Sequence, residues 1–71
     1  MPVRLKVKEI AARQGMSQRQ LFLRTGIDIK QIQRIMRNPY TNVTTETLGR
    51  IAKVLGVDAS ELIESVEDDS F

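Results

Sequence analysis

One short pattern occurs three times: a glycine, an apolar residue, a Ser or Asp, two further residues, and then Gln or Glu. It reads Gly15-Met16-Ser17 to Gln20, Gly26-Ile27-Asp28 to Gln31, and Gly56-Val57-Asp58 to Glu61. Each part has a mechanical role. Glycine adopts a positive φ at low cost and closes the helix before it. The Ser or Asp side chain accepts a bond from a free backbone N–H at the next helix start. The Gln or Glu three residues on can reach back to the cap's own N–H, completing a capping box. Met16, Ile27 and Val57 stand where an apolar staple packs onto the first turn. Three such junctions demand successive helices joined by very short turns. The unequal spacings of the caps, 11 residues and then 30, reject a repeat protein.

Reading outward from these stops gives five expected helices. The first ends near Gln14 with Val7, Ile10 and Ala11 inward. Its start stays open, because Val3, Leu5 and Val7 alternate as a strand would. The second covers about residues 18–25 around Leu21 and Phe22. The third covers about 29–38 with Ile32, Ile35 and Met36 inward, and Pro39 forbids its continuation. Residues 38–43 read as a loop. A fourth helix follows Thr44, with Leu48, Ile51, Ala52 and Leu55 on one face. A fifth follows Asp58, with Leu62, Ile63 and Val66 apolar. Residues 1–66 are expected to form one domain, and the acidic end at 67–71 to fray.

Composition narrows the chemistry. A chain of 71 residues supports one small core. It contains neither cysteine nor histidine, so disulfides, thiolate metal sites and the commonest general base are all missing. An enzyme is therefore not expected, nor a cofactor or metal. No apolar run approaches a membrane span, and the basic start lacks the apolar stretch of a signal peptide. The expected location is the cytoplasm, in association with the nucleoid. Charge is split into blocks. Residues 1–53 carry all eleven Lys and Arg against three acids, a net of +8, whereas residues 54–71 carry six acids and no base. Such a split suits a polyanion-facing body with an acidic tail, although a solvated surface can carry the same residues.

The third helix sharpens this choice. Lys30, Gln33, Arg34 and Arg37 fall at i, i+3, i+4 and i+7, one stripe with no acid in it, opposite Ile32 and Ile35. Arg and Lys can donate to guanine O6 and N7, and Gln can pair with adenine N6 and N7. The start of the second helix, Ser17-Gln18-Arg19, offers free N–H groups and the positive end of the helix dipole to a phosphate. Ser17 can equally serve as a cap alone. Glu61 and Glu64, one helical turn apart, read as an acidic surface rather than a catalytic pair. Tyr40 and Phe71 are too isolated to make a stacking platform for single strands.

From about Leu5 to Leu62 the sequence resembles the helix-turn-helix domain of the phage-repressor and Cro type, the Xre-like family. The matching residues are Met16-Ser17-Gln18, Leu21, Gly26-Ile27, Ile32 and Ile35. Thr47-Leu48, Ile51-Ala52-Lys53-Val54-Leu55-Gly56-Val57 and Glu61-Leu62 continue the match. The resemblance implies an all-α five-helix bundle, lambda-repressor-like, whose third helix enters the major groove. It carries base reading to Ile29, Lys30, Gln33 and Arg34. Phosphate binding falls on Gln18, Arg37 and the loop residues Thr41, Asn42 and Thr44. The chain departs from the family at three places. Phe22 stands where alanine is usual, and Leu23 where a polar residue is usual. Ala11 and Met36 replace a buried Arg–Glu pair that some members hold. Ile29 is unusual for a base reader: it could touch a thymine methyl, but it reads slightly better as core.

The expectation is a sequence-specific regulator of transcription that binds double-stranded DNA without enzymatic chemistry. A single module buries only about 600–1,000 Å2 on DNA, so a homodimer on a palindromic site is expected. The alternative is a protein-interaction or antitoxin-like module of the same fold that does not itself read DNA, with a partner surface at Phe22 and Leu23. An RNA reader is disfavoured, because the A-form major groove is too deep and narrow for side chains.

Overall fold

The structure is a computed structural model and describes residues 3–66. Its elements are β1 (Val3–Leu5), α1 (Val7–Arg13), α2 (Gln18–Thr25), α3 (Ile29–Arg37) and α4 (Thr45–Leu55). A single 3-10 turn over Ala59–Leu62 then leads into β2 (Ile63–Ser65). No helix among the described residues is long and apolar enough to cross a membrane.

The helix ends fall where the cap chemistry demands. Gly15, Gly26 and Gly56 hold φ of 68°, 73° and 69°, the left-handed region in which a side chain is strained. Ser17 Oγ accepts from the Gln20 N–H at 3.2 Å, and the Gln20 side-chain oxygen accepts from the Ser17 N–H at 2.9 Å. Asp58 and Glu61 form the same reciprocal pair at the third junction. The middle junction differs from its expected form. Asp28 accepts from the Lys30 N–H at 2.8 Å, and the Gln31 N–H goes to the Asp28 carbonyl at 3.0 Å. Asp28 thus closes a tighter turn, two residues on rather than three, and the Gln31 side chain takes no part in it.

The core forms from one stripe of each helix. Val7, Ile10 and Ala11 on α1, Ile32 and Ile35 on α3, and Ile51, Ala52 and Leu55 on α4 are all buried. Ile27 is buried at the α2–α3 turn, and Met16 and Val57 pack against the core from theirs, as staples do. On α2 only Leu21 is buried; Phe22 beside it is 36% exposed. Ala11 and the half-buried Met36 fill with apolar atoms the place of an ion pair, which removes any desolvation cost there.

The five-helix expectation is not met. After Asp58 the chain makes one 3-10 turn and then extends, pairing β2 antiparallel to β1 with Val3 opposite Ser65, Arg4 opposite Glu64 and Leu5 opposite Ile63. Two forces favour this outcome. The segment offers little to a helix: beyond Leu62 come Ile63, Glu64, Ser65 and Val66, two of them β-branched. Meanwhile β1 supplies open hydrogen-bonding groups. The Lys6 N–H donates to the Leu62 carbonyl at 2.6 Å, and the Arg4 guanidinium reaches Glu64 at 2.8 Å and Glu9 at 3.0 Å. Bonds donated to Glu64 and Glu9 push the Arg4 pKa above its already high ordinary value, so the guanidinium keeps its charge. The alternation of Val3, Leu5 and Val7 therefore marks a real strand, and α1 starts only at Val7. Ile63 is 36% exposed, and Glu61 and Glu64 no longer share a helix face. The expected acidic tail at 67–71 lies outside the described residues.

Leu62 is fully buried and locks the 3-10 turn onto α4. Leu62→Ala should cost about 2–5 kcal/mol. That is most of the roughly 5 kcal/mol available to so small a domain. Ile63→Ala should cost under about 1 kcal/mol, since its side chain lies on the ribbon surface. Urea denaturation followed by circular dichroism compares the two; a continued fifth helix would make the losses equal.

Candidate nucleic-acid interface

Burial of Ile32 and Ile35 decides which way α3 faces. With about 100° between successive residues, fixing those two inward turns Lys30, Gln33, Arg34 and Arg37 outward. All four are exposed. Together with Asn38 they line a shallow groove of about 200 Å3 that contains no acidic residue.

Both ends of α3 are anchored. At its start, Asp28 caps Lys30, while the Thr25 hydroxyl donates to the Leu21 carbonyl (2.6 Å) and accepts from the Ile27 N–H (3.2 Å). The α2–α3 turn is thus three residues long and internally bonded. At the other end Asn38 is extended, with φ −128° and ψ 102°, as a residue before proline must be. Its side-chain oxygen accepts from the Tyr40 N–H, and the Leu5 N–H donates to the Pro39 carbonyl at 2.7 Å. Strand β1 thereby holds the exit of α3.

The remaining candidates separate into distinct places. Gln18 joins Lys8, Gln33, Met36 and Arg37 around a second hollow of about 330 Å3, where α1, α2 and α3 converge. Arg19 and Ile29 lie elsewhere, lining a third hollow with Phe22 and Leu23. Ile29 is half-buried and outside the core cluster, so its reading as core is not met. Leu23 is 65% exposed, an open apolar spot as the departure from the family pattern suggests. Ser17 has its hydroxyl engaged with Gln20. The Gln18 and Arg19 amides stand within the first turn, where no intrahelical acceptor exists. Thr41, Asn42 and Thr44 stand on the α3–α4 loop, apart from these hollows. The Thr44 hydroxyl is committed to starting α4, accepting from the Thr47 N–H at 3.1 Å.

Lys8 is the addition that sequence reasoning misses. Its position beside Val7 marks it only as the exposed side of α1, and nothing local says that α1 crosses next to Arg37. That neighbourhood is a product of the core packing.

Two short helices held by a three-residue turn, the second presenting an exposed cationic stripe, define a helix-turn-helix domain of the DNA-binding class. The Helix-turn-helix family profile matches residues 7–62, and the chain belongs to that family, in its Xre-like form. Membership places it among DNA-binding regulators in general. A crystal structure of a Bacteroides fragilis protein, provisionally described as DNA-binding, shares the fold with a TM-score of 0.77 at 24% identity. The match covers 87% of this chain and 98% of that one. No curated protein sequence matches the chain.

The Asp28 cap fixes where α3 begins and hence where Lys30 stands. Asp28→Ala should cost about 1 kcal/mol and raise amide exchange at Lys30 and Gln31 while leaving α4 protected. Hydrogen exchange read by NMR checks both effects.

Proposed function

We propose that the protein is a sequence-specific regulator of transcription that binds double-stranded DNA as a homodimer, with α3 lying in the major groove. The observation that carries this reading is the acid-free, solvent-facing stripe of Lys30, Gln33, Arg34 and Arg37 on the second helix of the motif. A helix face that is merely solvated has no reason to exclude acids over two turns. A B-DNA major groove is about 12 Å wide and admits an α-helix.

The work divides between two groups of residues. Lys30, Gln33 and Arg34 read base edges, and Ile29, beside them at the helix start, contacts a thymine methyl. Ser17, Gln18, Arg19 and Arg37 bind phosphates, joined by Thr41, Asn42 and Thr44 where the loop meets the backbone. Counterion release at those phosphates supplies much of the affinity and makes it fall with salt. The base contacts supply preference. The protein acts on gene expression through occupancy, with no bond made or broken.

A second reading draws support from Phe22 and Leu23, which are exposed side by side on α2. They suit a protein partner, as in an antitoxin-like module. The two readings separate on one measurement, selection of binding sites from random duplexes at two salt concentrations. The regulator recovers a motif whose affinity declines with salt, and the interaction module recovers none.

Arg34→Ala should cost about 1–3 kcal/mol on the selected duplex and relax preference at a single base position. Arg19→Ala should weaken all duplexes alike. An Arg34→Ala variant with unchanged affinity and unchanged preference removes α3 from the groove.

Two copies on one palindrome place their α3 helices about 34 Å apart, one turn of DNA. Sedimentation with a selected palindromic duplex should give a complex of two chains. A single chain per duplex at saturating protein overturns the dimer.

A further inference from the structure

We propose that Lys8 and Arg37 together seat one phosphodiester of the bound duplex, in the hollow where α1, α2 and α3 converge. The proposal rests on the DNA-binding reading above and assigns Lys8, on α1, a role in it. Lys8 lies 29 positions before Arg37 in sequence, yet both line the same hollow of about 330 Å3 with Gln18, Gln33 and Met36. Among the described residues no carboxylate lines it. Among the described residues the ion pairs are Arg4 with Glu9 and Glu64, and Arg50 with Glu46, so no described carboxylate forms an ion pair with Lys8 or Arg37. Both also line a neighbouring hollow with Arg4 and Glu9, where Glu9 is bonded to Arg4 at 3.0 Å. An anion in the carboxylate-free hollow therefore meets two like charges and reverses the sign of their repulsion.

The chemistry matches a phosphodiester well. Its two free oxygens can take the ammonium of Lys8 and the planar donor fork of Arg37, and the Gln18 and Gln33 amides can add neutral donors. Position matches too. Gln33 and Arg37 line this hollow and also the groove along α3, so the two share a wall. A duplex lying against the α3 stripe carries its sugar–phosphate strand along that wall. Lys8 approaches from the α1 side and closes the seat.

A second cationic cluster gives the contrast. Arg24, Arg50 and Lys53 line a different hollow with Thr25 and Val54. Here Arg50 is paired with Glu46 at 3.0 Å, and Arg24 and Lys53 sit in the last turns of α2 and α4, where a cation complements the helix dipole. Arg50 therefore has a partner inside the fold, whereas Arg24 and Lys53, like Arg37, stand in the last turn of a helix. Removing one tests whether net charge alone sets the affinity.

The experiment measures the affinity of the full chain and its variants for a selected duplex across a salt series. Lys8→Gln should weaken binding and lower the slope of log K against log salt by about 0.9, one phosphate's share. The ranking among single-base variants of the duplex should stay unchanged. Lys8→Arg should restore the slope, and Lys53→Gln should leave it at the wild-type value. A Lys8→Gln slope equal to wild type, or a Lys53→Gln variant that lowers the slope equally, overturns the seat while the wild-type protein still binds. A wild-type protein that binds no duplex overturns the regulator reading together with the seat.

Discussion

Packing of Ile32 and Ile35 into the common core, where α3 meets α2 and α1, is the constraint from which the rest of the surface follows. A helix of nine residues has little stability alone, so α3 exists because its inner stripe is buried. Burial also removes the rotational freedom of the helix about its axis. Once two isoleucines point inward, four polar side chains a few residues away have no choice of direction. The same contacts that stabilise the fold therefore aim the cationic stripe, and a loss of packing would blur the aim before it unfolded the domain.

The β1–β2 ribbon gives this small bundle its closure. Three-residue strands add few hydrogen bonds and would not persist alone. Their value lies in what they hold. Leu5 and Lys6 donate to Pro39 and Leu62, so one short segment ties the exit of α3 to the end of the 3-10 turn. The Gln14 side chain adds a further tie, donating to the Leu55 carbonyl at 2.7 Å and joining the ends of α1 and α4. Backbone hydrogen bonds thus do at the periphery what apolar contact does in the centre, and α3 is gripped at both ends.

The readable part of this protein was local. Glycine, cap and staple patterns set the ends of α2, α3 and α4 within a residue, because each depends on atoms only a few positions apart. The inward faces of α1, α3 and α4 followed from a 3.6-residue period. What sequence concealed were relations between distant segments. The strand character of Val3 and Leu5 needed a partner, and that partner was the stretch holding Ile63, whose cap and apolar residues imitate a helix start. Likewise, the exposure of Phe22 depends on which side of α2 the bundle covers. In the candidate site, the stripe from Lys30 to Arg37 was legible as one helix face, whereas Lys8 was not, since its neighbour on α3 is set by tertiary packing.

Pairing of Val3 with Ser65 brings the two ends of the described chain side by side. The topology is therefore nearly a closed ring, and a short peptide linker could join the ends and let the chain be opened elsewhere by circular permutation. The loop between α3 and α4 offers such an opening at Asn42, which is exposed between the Pro39 tie to β1 and Val43, the loop residue that packs on the core. Val3 and Ser65 thus lie on one common edge of the described domain, so two groups attached at those positions would be held close together.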